Sequence, residues 1–205
     1  MFYAEDAVRR AIAITGKPFP AGLSEMGTSE LHDLGAGYLD SLRKHAGMAG
    51  RVTDTTPMNF PLVGLIAAML PHARLVHCVR DPMDTCVSIF QQPLSGSHAY
   101  ANDLADLGGF YRLYKELMAH WYSVLPGRIY NLDYEALVND SETGIRKLLD
   151  YCGLPFHADC LSFHKTKRQV RSPSASLVRQ PVYTGSIGRW KRYESRLAPL
   201  KAILK

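Results

Sequence analysis

The chain has 205 residues, 46% of them hydrophobic and 21% charged, the composition of an ordinary globular chain able to build one sizeable core. Its formal charge is +5 and its pI near 9.0. The basic residues are spread along the chain until its last fifth, which favours a small polyanionic ligand over nucleic acid. No stretch approaches the roughly 20 apolar residues needed to span a bilayer, and Met1-Phe-Tyr-Ala-Glu-Asp6 lacks the pattern of a secretory leader. Four cysteines without a Cys-x-x-Cys pair are expected to be buried free thiols in a reducing, cytoplasmic setting. Cys152, Cys160, His157 and His164 form no closed ligand set, so no metal site is expected.

In chain order, Ala4 to Ile14 has apolar residues at Ala7, Val8, Ala11 and Ile14 and reads as a helix stopped by Gly16-Lys-Pro-Phe-Pro20. Ser29 to His45 repeats the pattern with Leu31, Leu34, Tyr38, Leu39 and Leu42. Arg51 to Phe60 reads as an extended segment and a turn, and Pro61 to Leu70 as an apolar helix. Leu75 to Val79 is then a short apolar strand. Asp81-Pro82 ends it and opens a helix, with aspartate as the cap and proline in the first turn, where its missing N–H costs nothing.

That junction is the most informative stretch. A helix start after a strand presents free N–H groups and the positive end of the helix dipole, the usual device for holding phosphate in α/β proteins. Arg80 closes the strand and Ser88 lies two turns into the helix. A guanidinium grips phosphate oxygens bidentately, and a hydroxyl adds a donor. The plain structural alternative is that Arg80 pairs with Asp81 or Asp84 and Ser88 faces a neighbouring helix.

Asp103 to Leu125 is the longest helix, with a core stripe of Leu107, Phe110, Tyr111, Tyr114, Leu117, Met118 and Trp121; His120 reads as a packed or surface histidine. Arg128 to Leu132 is a second strand. Ser141 to Gly153 is a helix capped by Ser141 and stopped by glycine, and Ala158 to Phe163 adds a short one. Alternation from Val52 to Leu149 predicts an α/β fold with a mainly parallel sheet flanked by helices, in one domain. From Lys165 to Arg192, cations, hydroxyls and glycines interleave as in a loop wrapped round a phosphate or nucleotide. The alternative is a solvated basic tail.

Five ordered blocks carry a family resemblance: Thr53 to Ile66, Val79 to Ser88, His120-Trp121, Asp133-Tyr-Glu-Ala-Leu-Val138 and Val178 to Trp190. Together they resemble sulfotransferases, most of all the bacterial group linked to tetratricopeptide repeats. The resemblance implies a P-loop-kinase-like fold and transfer of a sulfuryl group from 3'-phosphoadenosine 5'-phosphosulfate (PAPS) to a hydroxyl or amine, leaving adenosine 3',5'-bisphosphate (PAP), with no metal. It assigns Arg80 and Ser88 to the donor's 3'-phosphate and Tyr134 to its nucleotide. Ser174 and Arg179 fall in the segment that closes over adenine, Arg189 takes a basic phosphate position, and Glu5 becomes the acceptor-activating base. The family's opening strand and glycine-rich phosphosulfate loop have no counterpart here, and Thr55 replaces a usual lysine. An N-terminally incomplete domain over residues 1–205 with impaired transfer is therefore expected, with another chain or a second copy as the partner that would complete it, no nucleic acid or membrane partner, and an unknown acceptor. The other reading is a non-catalytic, degenerate module that binds nucleotide or protein.

Overall fold

A computed structural model describes residues 3–46, 49–92, 98–166 and 177–204. The chain folds into two compact units, Met1–Ala73 and Arg74–Lys205.

The first unit is helical. Helix α1 (Tyr3–Thr15) and helix α2 (Thr28–Ala46) pack on each other through buried Ala4, Ala7 and Ala11 on one side and Leu34, Tyr38 and Leu42 on the other. The alanine row spaced three and four apart lets the two backbones approach closely. Ile14, read from the sequence as part of that stripe, is exposed instead. Residues 51–56 form no regular secondary structure and pair with no described strand, so the alternation expected from Val52 begins only at Leu75. The apolar helix read from Pro61 starts later: Pro57–Leu62 is a 3-10 segment and helix α3 is Val63–Met69. Two prolines four residues apart remove the N–H groups that a regular α-helix would use there.

Asp54 anchors residues 51–56. Its Oδ1 accepts from Thr56 N (2.9 Å) and Thr56 Oγ1 (2.6 Å), and its Oδ2 accepts from Tyr38 Oη (2.7 Å). Burial alone would raise the Asp54 pKa, but the hydrogen bonds from Thr56 and Tyr38 outweigh it and bring it down. Burial and the neighbouring Asp54 carboxylate both raise Tyr38.

The second unit holds the sheet. Strand β1 (Leu75–Val79) pairs in parallel with strand β2 (Ile129–Asp133) in the register Leu75↔Ile129 to Val79↔Asp133. Among the described residues the sheet has these two strands, smaller than the alternation implied. Helix α4 is Pro82–Phe90, helix α5 Leu104–Val124, helix α6 Tyr134–Asn139, helix α7 Ser141–Cys152 and helix α8 Ala198–Leu204. Asp140, not Ser141, caps α7, because its carboxylate accepts from Thr143 N (3.2 Å) and places Ser141 inside the helix. Gly153 ends that helix in the left-handed conformation, φ +65, which favours glycine.

The core of this unit gathers Cys86, Leu107, Tyr111 and Leu200, from α4, α5 and α8. Of the long-helix stripe, Leu107, Tyr111 and Tyr114 join this core, Met118 is buried, Phe110, Leu117 and Trp121 are half-buried, and His120 is on the surface. The cysteines depart from expectation: Cys86 is buried, Cys152 and Cys160 are half-buried, and Cys78 is exposed, though all four are free. Strand alternation puts Cys78 on the same face as exposed Val76, opposite His77. His77 meets α5, its Nδ1 2.8 Å from the Tyr122 hydroxyl and its Nε2 bonded to the Tyr114 hydroxyl. No helix among the described residues is long and apolar enough to cross a membrane.

Two glycines of opposite surroundings test this packing. A Cβ at Gly35 on α2 would stand 2.1 Å from the Met69 carbonyl oxygen, whereas one at Gly109 on α5 would meet nothing within 4 Å. Gly35→Ala is expected to cost about 2 kcal/mol or more in urea unfolding, while Gly109→Ala should gain about 0.5–1 kcal/mol from reduced backbone freedom. Equal effects at the two positions would contradict the close approach of α2 to residue 69.

Burial lowers the His77 pKa. Its proton therefore binds the unfolded chain more tightly, so its contribution to stability is intact above the ordinary histidine value of about 6.5 and is lost as pH falls below it. The stability of the wild type minus that of His77→Gln should decrease between neutral and mildly acidic pH; a difference constant with pH would contradict it.

Candidate phosphate-binding site

The β1–α4 junction forms as its residues dictate. Asp81 Oδ1 accepts from Asp84 N (2.8 Å) and Pro82 opens the helix, so the aspartate satisfies one of the helix's free donors. Asp81 N in turn donates to Glu135 Oε1 (3.0 Å), which fixes the start of α4 against α6. Both helices begin where their strands end, β1 at Val79 and β2 at Asp133, and Asp133 caps α6 through Ala136 N (2.7 Å).

Arg80 lies at the centre of this arrangement with 22% of its side chain exposed. Its Nη2 donates to the Ser186 carbonyl at 2.6 Å, its guanidinium carbon is 5.1 Å from the centre of the Tyr134 ring, and its Nη2 is 3.9 Å from Asp84 Oδ2. The Nε is buried without a hydrogen-bond partner among the described residues. Pairing with Asp84, raised above as the plain structural alternative, is thus present in geometry. It is a long contact, and Asp84 has shorter partners.

Those partners are the strongest feature of the site. Asp84 is 1% exposed. Its Oδ2 accepts from Gly188 N at 2.6 Å and its Oδ1 from Trp190 N at 2.8 Å. Each carboxylate oxygen takes one backbone amide, and the charge-assisted bonds offset the cost of burying the ion. Gly188, at φ +67, makes the turn that aims both amides at one carboxylate. The basic C-terminal segment is thereby fastened to the first turn of α4.

The sequence-expected residues fall into three groups. Arg80 and Tyr134 are in contact, Ser88 is half-buried on α4 one turn beyond Asp84 and on the same helical face, and Arg189 is exposed between the two amides that Asp84 holds. Arg179 is exposed and donates to the Thr166 carbonyl, and Ser174 lies outside the described residues. Glu5 is exposed in the first turn of α1 in the other unit, where an acidic residue also suits the helix dipole. Asp84 and Glu135 were not read as site residues. The sequence signal for Asp84 was its place one turn after Arg80; Glu135 offered only its neighbour Tyr134.

The cap makes a direct prediction. Asp81→Ala should destabilise the protein by about 1 kcal/mol through loss of the bond to Asp84 N, and Asp81→Asn, which keeps an acceptor, should stay near wild type by chemical denaturation. Equal losses in both variants would show that the side-chain oxygen does not cap α4.

The model of the sulfotransferase family matches residues 5–158. An uncharacterized protein of Aquifex aeolicus (strain VF5) is 36% identical over 192 residues, covering 92% of this chain and 25% of that protein. Cytosolic sulfotransferase 14 of Arabidopsis thaliana is 27% identical over 133 residues, covering 53% of this chain and 38% of the plant protein. The chain therefore spans well under half the length of either relative. The family match runs through both strands and includes Arg80, Asp84, Ser88 and Tyr134, while Ser186 to Trp190 lie beyond it. On this match over most of its length, the chain belongs to the sulfotransferase family.

Proposed function

We propose that the chain binds the PAPS donor of a sulfuryl transfer, and its PAP product, at the β1–α4 junction of a P-loop-like α/β fold. The observation that carries the reading is Arg80: a guanidinium pinned by Ser186 and Tyr134 with a buried Nε that has no hydrogen-bond partner among the described residues. A cation held in place with an unspent donor fits a phosphate oxygen, because a buried N–H without an acceptor costs free energy until one arrives. Arg80 and Ser88 would hold the 3'-phosphate and Tyr134 would contact the nucleotide. Arg179 and Arg189, from the basic segment, would contact it.

PAPS supplies an activated sulfuryl group. The acceptor hydroxyl or amine attacks sulfur, the bond to the bridging phosphate oxygen breaks, and the bisphosphate leaves. Glu5 is the proposed base that takes the acceptor's proton. The protein's task in such a transfer is positioning and charge stabilisation with little covalent work, as in phosphoryl transfer. No metal takes part in the proposed reaction.

A second reading is favoured by Thr55, exposed where the resembled family usually has lysine. In that reading the chain keeps the nucleotide site and does not transfer, serving as a nucleotide-responsive or interaction module, alone or with a complementing chain or second copy.

Titration calorimetry with adenosine 3',5'-bisphosphate and adenosine 5'-monophosphate tests the binding. The bisphosphate should bind more tightly, equally with and without a chelator, and Arg80→Ala should reduce that preference roughly ten- to hundredfold, the loss of one charge-assisted bond pair. Folded wild type that binds neither nucleotide would end the proposal. Turnover of PAPS with an acceptor separates the two readings: sulfated product supports the enzyme, and tight binding without product supports the module.

A further inference from the structure

We infer that Asp84 is a positioning residue for the nucleotide site, a buried carboxylate that fixes the arginines of two distant segments relative to one another. The inference rests on the donor-site reading above and concerns a residue that contacts no ligand in it. The loop is gripped on both sides: the Ser186 carbonyl accepts from Arg80 at 2.6 Å, and the Gly188 and Trp190 amides donate to Asp84 at 2.6 and 2.8 Å. These partners are 104 to 106 residues apart in the chain. Arg189 stands between the two held amides, so its backbone cannot shift without breaking one of them, while its side chain is exposed.

The chemistry demands a carboxylate. Two amides aimed at two oxygens of one side chain need two acceptors, and an asparagine offers one oxygen and one NH2. The NH2 would face a backbone N–H, donor against donor, and the segment would release one of its two ties. Arg80 would also lose the negative charge 3.9 Å from its Nη2. The predicted consequence is specific to the charge at the 3'-position: Arg80 and Arg189 would still be present but no longer held together against that phosphate.

The test compares wild type with Asp84→Asn by calorimetry, using adenosine 3',5'-bisphosphate and adenosine 5'-monophosphate as probes. The expected result is a roughly ten- to hundredfold loss in the preference for the bisphosphate over the monophosphate, the equivalent of one charge-assisted buried hydrogen bond. A general loss of structure would weaken both nucleotides alike and would overturn the inference. So would a variant that keeps the full preference, in which case the donor-site reading stands without Asp84. If wild type binds neither nucleotide, the donor-site reading fails first and the inference with it.

Should Asp84→Asn fail to fold, amide hydrogen exchange on the wild type decides. The Gly188 and Trp190 amides should be protected in the free protein and more so with the bisphosphate bound. Exchange at the rate of an open loop, with or without nucleotide, would overturn the inference.

Discussion

An ionised side chain with 1% exposure is costly, and Asp84 is tolerated because both of its oxygens accept backbone amides. That constraint organises the rest of the second unit. A carboxylate in the first turn of α4 suits the positive end of the helix dipole, and its amide is itself taken by the Asp81 cap. The same residue therefore completes the helix start and fastens the basic segment to it. Without those two amides the bond from Arg80 would be the remaining polar tie, among the described residues, between Ser186–Trp190 and the junction.

The hydrophobic core supports this latch from behind. Leu107 and Leu200, both almost fully buried, join α5 to α8, and Gly108 allows the approach, since a Cβ there would lie 3.1 Å from Ile203 Cγ2. Cys86 and Val87 on α4 are buried beside Asp84. A 3-10 segment, Arg189–Arg196, joins the latched segment to helix α8. The segment is thus held at Gly188 and Trp190 by hydrogen bonds and, a few residues on, by the burial of Leu197 and Leu200, with the cationic Arg189 left exposed in between. Local order of this kind is what a phosphate site needs, because cations held in place lose less entropy on binding.

The junction was legible in the sequence because its signals are local: an apolar run, then Asp-Pro, then an amphipathic helix. Strand β1 matches its expected bounds from Leu75 to Val79, and Asp81 caps as read. Helix α8 was not legible, since Ala198-Pro-Leu-Lys-Ala-Ile-Leu204 is short, carries a proline and gains its stability from α5, not from its own propensity. The 3-10 start before α3 and the Asp140 cap show the same limit at the scale of one turn. The partners of Asp84 are backbone amides more than a hundred positions away, and no spacing rule links a side chain to a distant main-chain N–H. The sequence showed an ion-pair candidate, and folding turned it into a latch.

We propose that Arg80, whose buried Nε has no hydrogen-bond partner among the described residues, takes up a phosphate of the donor. The Nε–H resonance of Arg80, followed by nuclear magnetic resonance while adenosine 3',5'-bisphosphate is added, tests it most directly. This resonance is expected to shift with the bisphosphate and to stay in place with adenosine 5'-monophosphate. A resonance unmoved at saturating bisphosphate, or moved equally by both nucleotides, would contradict it.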